Sequence, residues 1–238
     1  MAASAILLDA GGVLVFPHPA NVLPLLREAG LVPDLATLER AHYQAMAVQD
    51  AAREPPARDT WWHDYMVTYV AACGVPPDRC EALTGEMTHR VVERSWAYAG
   101  LGALDGLRAV AAVGLPIGVV SNSDGSVEAD LRHVGLCHAP DKPGEPEAGS
   151  VPVGVVIDSA VVGVAKPDPA IFRIALDALG VPPGETVLHV GDSLRYDVAG
   201  ALAAGLQPVH MDPFGFCSAP DGHPHIRRLA DLAQLAAG

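Results

Sequence analysis

Lysine is nearly missing from this sequence. Only Lys142 and Lys166 occur in 238 residues, and 15 basic residues in all face 28 acidic ones, for a net charge of −13. No cluster of Lys and Arg offers a footprint for a phosphate backbone or an anionic headgroup, so nucleic acid and membrane are excluded as expected partners. Long apolar runs are missing too. The most apolar stretch, Ala109 to Val120, falls short of the roughly 20 residues that a bilayer core requires. No basic residue precedes Arg27, so the N-terminus does not read as a secretory signal. The cysteines are few (Cys73, Cys80, Cys137 and Cys217) and none stand in C-x-x-C spacing. A chain of this size needs no disulfide staple, so reduced thiols and a cytoplasmic location are the expectation. Aromatic residues make up only 5%, and all three tryptophans lie before residue 97.

What is present is a large apolar reserve. Hydrophobic residues make up 50% and charged residues 18%, which suits a folded chain with a sizeable core. Ala5 to Leu8 is a short apolar run ending at Asp9 and Gly11-Gly12, the pattern of a buried strand meeting a tight turn. From about Ala20 to Ser95 apolar residues recur at helical spacing, as in Leu38, His42 and Ala45, and then in Trp62, Tyr65, Met66 and Tyr69. Breaks at Gly30, Pro55-Pro56 and Pro76-Pro77 predict four helices in series with no strand between them.

After Gly100, strands and helices alternate. Strands are expected at 116–120, 153–157, 186–190 and 208–211. Helices are expected at 104–113, 126–134, 169–179, 198–204 and 226–236. Asp168 is placed as an N-cap with Pro169 at the first helical position. Residues 138–152, rich in Pro, Gly and Glu, read as a long surface loop. Alternation of this kind predicts a Rossmann-like, doubly wound parallel sheet. The core would comprise residues 1–18 and 97–238, and a helical cap domain, residues 19–96, would be inserted after the first strand.

Three apolar strands each end in a small polar or acidic residue: Leu7-Leu8 before Asp9, Val119-Val120 before Ser121, and Val190-Gly191 before Asp192. Taken singly, each is an ordinary cap or turn residue. Together they would meet at the carboxyl edge of a parallel sheet, where such folds bind ligands. Lys166, in Ala165-Lys166-Pro167-Asp168-Pro169, sits in a turn stiffened by proline that could aim an ammonium at an anion.

These residues resemble, over the whole chain, the haloacid dehalogenase-like hydrolase superfamily, whose members are mostly phosphatases. Asp9-Ala10-Gly11-Gly12-Val13-Leu14 is similar to its first motif and Ser121-Asn122 to its second. Lys166-Pro167-Asp168-Pro169 is similar to the third, and Gly191-Asp192-Ser193 with Asp197 to the fourth. The resemblance implies a Mg²⁺-dependent hydrolase of a small phosphorylated metabolite. Asp9 would be the nucleophile. Ser121, the Asn122 backbone N–H and Lys166 would bind phosphate. Asp9, the Gly11 carbonyl and Asp192 would hold Mg²⁺, and Asp197 would ligate it or orient its water.

One position departs from the pattern. Most phosphatases of the superfamily carry a second Asp, a general acid/base, where this chain has Gly11. Two other readings therefore stand beside the first: a dehalogenase, which also lacks that Asp, and a non-catalytic protein that keeps the metal and phosphate pocket. His18 and Asp124 are candidate replacements for the acid, each with a plainer reading as a linker residue and a helix cap. Arg53, Arg58, Trp61, Trp62 and His63 are candidates for substrate selection from the cap, with packing the plainer reading for the tryptophans. The oligomeric state is not legible in the sequence.

Overall fold

The computed structural model describes residues 3–52, 61–89, 95–140, 148–184, 186–219 and 222–238. Arg53 and Arg58 lie outside them. In chain order the elements are β1 (Ala5–Leu8), β2 (Val15–Phe16), α1 (Pro19–Glu28), α2 (Leu35–Ala51), α3 (Trp61–Ala72), α4 (Pro77–His89), β3 (Tyr98–Ala99) and α5 (Ala103–Ala111). There follow β4 (Ile117–Ser121), α6 (Val127–His133), β5 (Cys137–His138), β6 (Val151–Pro152), β7 (Val155–Asp158), α7 (Ser159–Val162) and α8 (Pro169–Leu179). The chain ends with β8 (Val187–Gly191), a π-helical turn (Leu194–Val198), α9 (Ala199–Ala203), β9 (Gln207–Met211), β10 (His225–Ile226), a 3₁₀ turn (Leu229–Asp231) and α10 (Leu232–Ala237).

Six strands form one parallel sheet in the order β10-β9-β8-β1-β4-β7. The chain moves outward from β1 to β4 and β7, then returns to β8 on the other side of β1. The sheet thus reverses direction around β1, and ligands in such sheets bind at that switch point. Side chains on β1 alternate between two cores. Ile6 and Leu8 pack with Val119, Leu188 and Val190 on one face, while Ala5 and Leu7 pack with Val120, Ile171 and Phe172 on the other. Burial on both faces is why these strands read as unbroken apolar runs. Each large side chain so buried contributes about 1.5–3 kcal/mol.

Local signals in the sequence hold at α8. Asp168 caps it by accepting from the Ala170 N–H at 2.9 Å, Pro169 occupies the first position, and Gly180 closes it at φ 67°. The four helices α1–α4 share a third apolar cluster built on Leu25, Leu26, Tyr65, Met66 and Tyr69. They leave and rejoin the sheet through an antiparallel ribbon in which Val15 pairs with Ala99 and Phe16 with Tyr98.

Three expectations need correction. The helix expected over 226–236 begins only at Leu232, because His225 and Ile226 instead extend the sheet beside His210 and Met211. The helix expected from Val198 is preceded by the π-helical turn from Leu194, which a period of 3.6 residues does not reveal. The stretch 138–152 is not loop throughout: its ends pair as β5 and β6, Cys137 with Val151, while residues 141–147 lie outside the described residues.

Candidate active site

The carboxyl ends of β1, β4 and β8 bring the predicted residues together. Asp9 follows β1, Ser121 ends β4, and Asp192 follows β8. Lys166 arrives from the turn before α8 and is 3% exposed. Its Nζ donates to Asp9 Oδ2 at 2.8 Å and to Asp197 Oδ1 at 2.6 Å. Asp9, Asp192 and Asp197 each present a carboxylate oxygen within 4.8 Å of the other two.

The backbone of Lys166 is clamped by Asn122, whose Oδ1 accepts from the Lys166 N–H at 2.7 Å and whose Nδ2 donates to the Lys166 carbonyl at 3.0 Å. The side chain of Asn122 therefore positions the ammonium rather than facing a ligand. Asp197 is committed on both oxygens. Oδ1 also meets His189 Nε2 at 2.9 Å, and Oδ2 accepts from the Ser193 N–H at 3.1 Å. These contacts hold Asp197 in place beside Asp9 and Asp192, with which it forms a group that could hold a metal ion.

Charge in the cluster is unbalanced. Burial, with Asp197 and Asp192 beside it, pushes the Asp9 carboxyl up to about 7 against the downward pull of Lys166. Burial also opposes ionisation of Asp197, yet Lys166 and the His189 hydrogen bond together hold it well below the usual carboxylate range. Lys166 keeps its proton firmly: burial disfavours the ammonium, but Asp197 and Asp9 beside it raise its pKa overall. Three buried carboxylates thus gather round one ammonium, which contacts Asp9 and Asp197 and leaves Asp192 to His42. Hard oxygen donors with surplus negative charge suit Mg²⁺, so the residues present fit that ion.

The turn after Asp9 is close-packed. Gly12 has φ 68°, and a Cβ there would collide with Asp192 Oδ2 and lie 2.6 Å from His42 Nε2. His42 is the residue the sequence did not disclose as part of the site. It is 1% exposed, and its Nε2 meets Asp192 Oδ2 at 2.7 Å while its Nδ1 meets the Tyr65 hydroxyl at 2.8 Å. Helical periodicity had put it on the inner face of α2, and a histidine on an apolar face was the only available signal. Tyr43, next to it, donates to the Gly12 carbonyl at 2.6 Å.

The remaining candidates make local contacts. His18 Nδ1 accepts from the Ala20 N–H and caps α1, and Asp124 accepts from the Ser126 N–H before α6. Trp61 and Trp62 stack on Tyr65. His63 faces Glu81 at 3.1 Å on the surface.

A family model, haloacid dehalogenase-like hydrolase, matches residues 3–205. The chain belongs to that family. Among its relatives, mouse haloacid dehalogenase-like hydrolase domain-containing protein 3 is 30% identical over 188 residues, 76% of this chain and 69% of that protein. Phosphoserine phosphatase of Thermus thermophilus is 41% identical over 81 residues, 34% of this chain and 32% of that protein. Among solved structures, the HAD-hydrolase YfnB of Bacillus subtilis bound to magnesium has a similar fold, with a TM-score of 0.62 and 19% identity over 99% of each chain.

Proposed function

We propose that this hydrolase is a Mg²⁺-dependent phosphatase of a small phosphorylated metabolite, with Asp9 as nucleophile. The observation that carries the reading is the Lys166 ammonium held between Asp9 and Asp197 at the switch point of the sheet, with Asp192 beside them. Asp9, Asp192 and the Gly11 carbonyl would hold Mg²⁺. The ion, when bound, supplies charge that offsets the repulsion between a carboxylate and a phosphate.

The chain's own residues do the rest. Asp9 attacks phosphorus, the bond to the leaving oxygen breaks, and an aspartyl-phosphate forms. Ser121 and Lys166 bind the non-bridging oxygens as charge shifts onto them. Asp197 and Asn122 fix the ammonium while this happens, and His42 fixes Asp192. Water then attacks the aspartyl-phosphate, releasing phosphate and regenerating Asp9. Gly11 gives the leaving alkoxide no proton, so that proton comes from water. The loss of a positioned acid costs about 10²–10⁴-fold, least for leaving groups that depart as stable anions. The helices α1–α4 act as a cap that closes over the substrate and excludes water.

Gly11 also favours a second reading, in which Asp9 attacks carbon and expels a halide, because halide departure needs no proton. Asp192 counts against it, since a second carboxylate beside Asp9 repels a haloacid substrate in the absence of a metal ion. One assay separates the two. We expect p-nitrophenyl phosphate to be hydrolysed with saturable dependence on Mg²⁺, abolished by chelator and by Asp9→Asn. Halide release from a 2-haloacid in the presence of chelator would overturn the phosphatase reading. Binding of Mg²⁺ and phosphate with no turnover of either substrate would replace it with a non-catalytic one.

A further inference from the structure

A second cluster of metal-ligating side chains lies on β9, β10 and the loop that joins them. The two strands run parallel with His210 opposite His225, and the loop between them returns Cys217 and His223 to the same place. Each of the four residues offers a donor atom within 4.8 Å of the other three. His223 Nε2 is 3.7 Å from Cys217 Sγ and 3.3 Å from His210 Nδ1. A tetrahedral zinc ion, with Zn–N of about 2.0–2.1 Å and Zn–S of about 2.3 Å, sets N···N edges of about 3.3 Å and N···S edges of about 3.6 Å. The observed separations match those edges.

Three further observations bear on the cluster. His210 Nε2 lies 3.0 Å from the Asp192 carbonyl. A carbonyl only accepts, so the ring proton sits on Nε2 and the lone pair of Nδ1 is turned to the cluster; this is the outer hydrogen bond that metal-bound histidines characteristically make. Asp212 accepts from the Phe216 N–H at 2.8 Å and from the Cys217 N–H at 3.1 Å, which fixes the turn that presents the thiol. His225 Nε2 is buried with no hydrogen-bond partner among the described residues.

We propose that His210, Cys217, His223 and His225 form a tetrahedral zinc site, distinct from the Asp9 centre. Three imidazoles and one thiolate suit zinc and do not suit Mg²⁺. Four protein ligands fill the tetrahedron, which makes the site structural rather than catalytic. On binding, the Cys217 proton is released to solvent. The ion ties β10 and its loop to β9. Through the His210 ring it also anchors the Asp192 carbonyl, one residue beyond β8. An open cleft whose lining includes His210, Asp212 and Cys217 together with Tyr43 and Asp50 gives the ion a way in.

The test uses the full chain, free of any affinity tag and stripped of metal, with excess Mg²⁺ present to occupy the carboxylate centre. Titration with Co²⁺ should give one equivalent of intense visible absorption typical of tetrahedral cobalt, together with a thiolate-to-cobalt band in the near ultraviolet. Zn²⁺ should chase both. Cys217→Ser should lose the near-ultraviolet band, and the His223→Ala/His225→Ala double variant should lose zinc binding, with Mg²⁺ binding as the check that both remain folded. In the unmodified chain, Zn²⁺ should slow the reaction of Cys217 with a thiol reagent at least tenfold. Pale octahedral cobalt alone, an unchanged near-ultraviolet band in Cys217→Ser, or no protection of the thiol would each overturn the proposal.

Discussion

Gly11 and Gly12 stand side by side at the residue scale but answer to different constraints. Gly12 adopts φ 68°, where a side chain is strained, and Asp192 and His42 fill the space its Cβ would need. Gly12→Ala should therefore destabilise the protein by about 1–3 kcal/mol and weaken Mg²⁺ binding, as read by thermal melts and calorimetry. Gly11 is absent from the positive-φ positions, and a Cβ there would meet the Trp96 ring, Cζ3 at 3.4 Å and Cε3 at 3.8 Å. The backbone thus accepts Asp at position 11. Gly11→Asp should raise kcat/KM for an alkyl phosphate more than for p-nitrophenyl phosphate, because only the alkoxide needs a proton. Equal gains for both substrates would show that another group already supplies it. The thiols divide just as sharply. Burial pushes Cys73 and Cys137 up to about 12, and Cys80, 2% exposed, donates to the Val75 and Pro76 carbonyls. A thiol reagent at pH 8 should count one reactive cysteine, Cys217, in the folded metal-free protein and four after unfolding.

The element that closes the site is α2. Its last turn carries Asp50, whose carboxylate accepts from Ser193 Oγ at 2.8 Å, from the Leu194 N–H at 2.6 Å and from the Arg195 N–H at 3.1 Å. It caps the π-helical turn that holds Asp197. Arg195 returns the contact by donating to the Ala52 carbonyl at 2.7 Å. One helix thus grips both the strand end at Asp192, through His42, and the turn at Asp197, through Asp50. Asp50→Ala should cost about 1–3 kcal/mol through the donors it leaves unpaired. It should also speed amide exchange at Leu194 and Arg195, measured by hydrogen–deuterium exchange, while leaving β4 protected. An unchanged exchange rate would show that the latch does not hold the turn. The strands that frame the site were legible in the sequence because each is an apolar run ending in a polar residue. The grip of α2 was not. His42 and Asp50 lie about two helical turns apart on a helix whose periodicity reports only which face is inward, and their partners are more than 140 residues away. The metal-ligating set on β9, β10 and their loop was hidden for a related reason. Parallel pairing of His225 with His210 assembles it, where the sequence suggested the start of a helix.

Across the whole molecule, the fold concentrates negative charge that the chain has little basic charge to balance. The net charge is −13, and one of only two lysines is buried among three carboxylates. The Asp9 carboxyl should therefore contribute a loss of stability to the metal-free protein as pH rises toward neutrality. The Asp9 carboxyl is raised by burial from 3.8 to about 7, so between those values the folded state holds a proton that the unfolded chain has released. Stability falls wherever the folded state binds more protons, so between pH 5 and pH 7.5 in chelator the melting temperature of the parent should decline relative to that of Asp9→Asn, a difference in which the opposite slope from His189, His223 and His225, whose pKa values burial lowers, cancels. Mg²⁺ should reverse that decline by binding the ionised form. At 100 times its dissociation constant a ligand adds about 2.7 kcal/mol, and each kcal/mol is worth roughly 2–4 °C in a chain of this size. A rise of about 5–10 °C at pH 7.5 is expected. Asp192→Asn separates this account from ordinary loss of a contact. The amide keeps an acceptor for His42 but removes a charge that pushes Asp9 upward. The variant should melt at or above the parent in chelator, show a shallower decline with pH, and gain almost nothing from Mg²⁺. A variant that melts well below the parent in chelator, or that keeps the full gain from Mg²⁺, would mean that Asp192 is a structural partner of His42 and not half of a cation site.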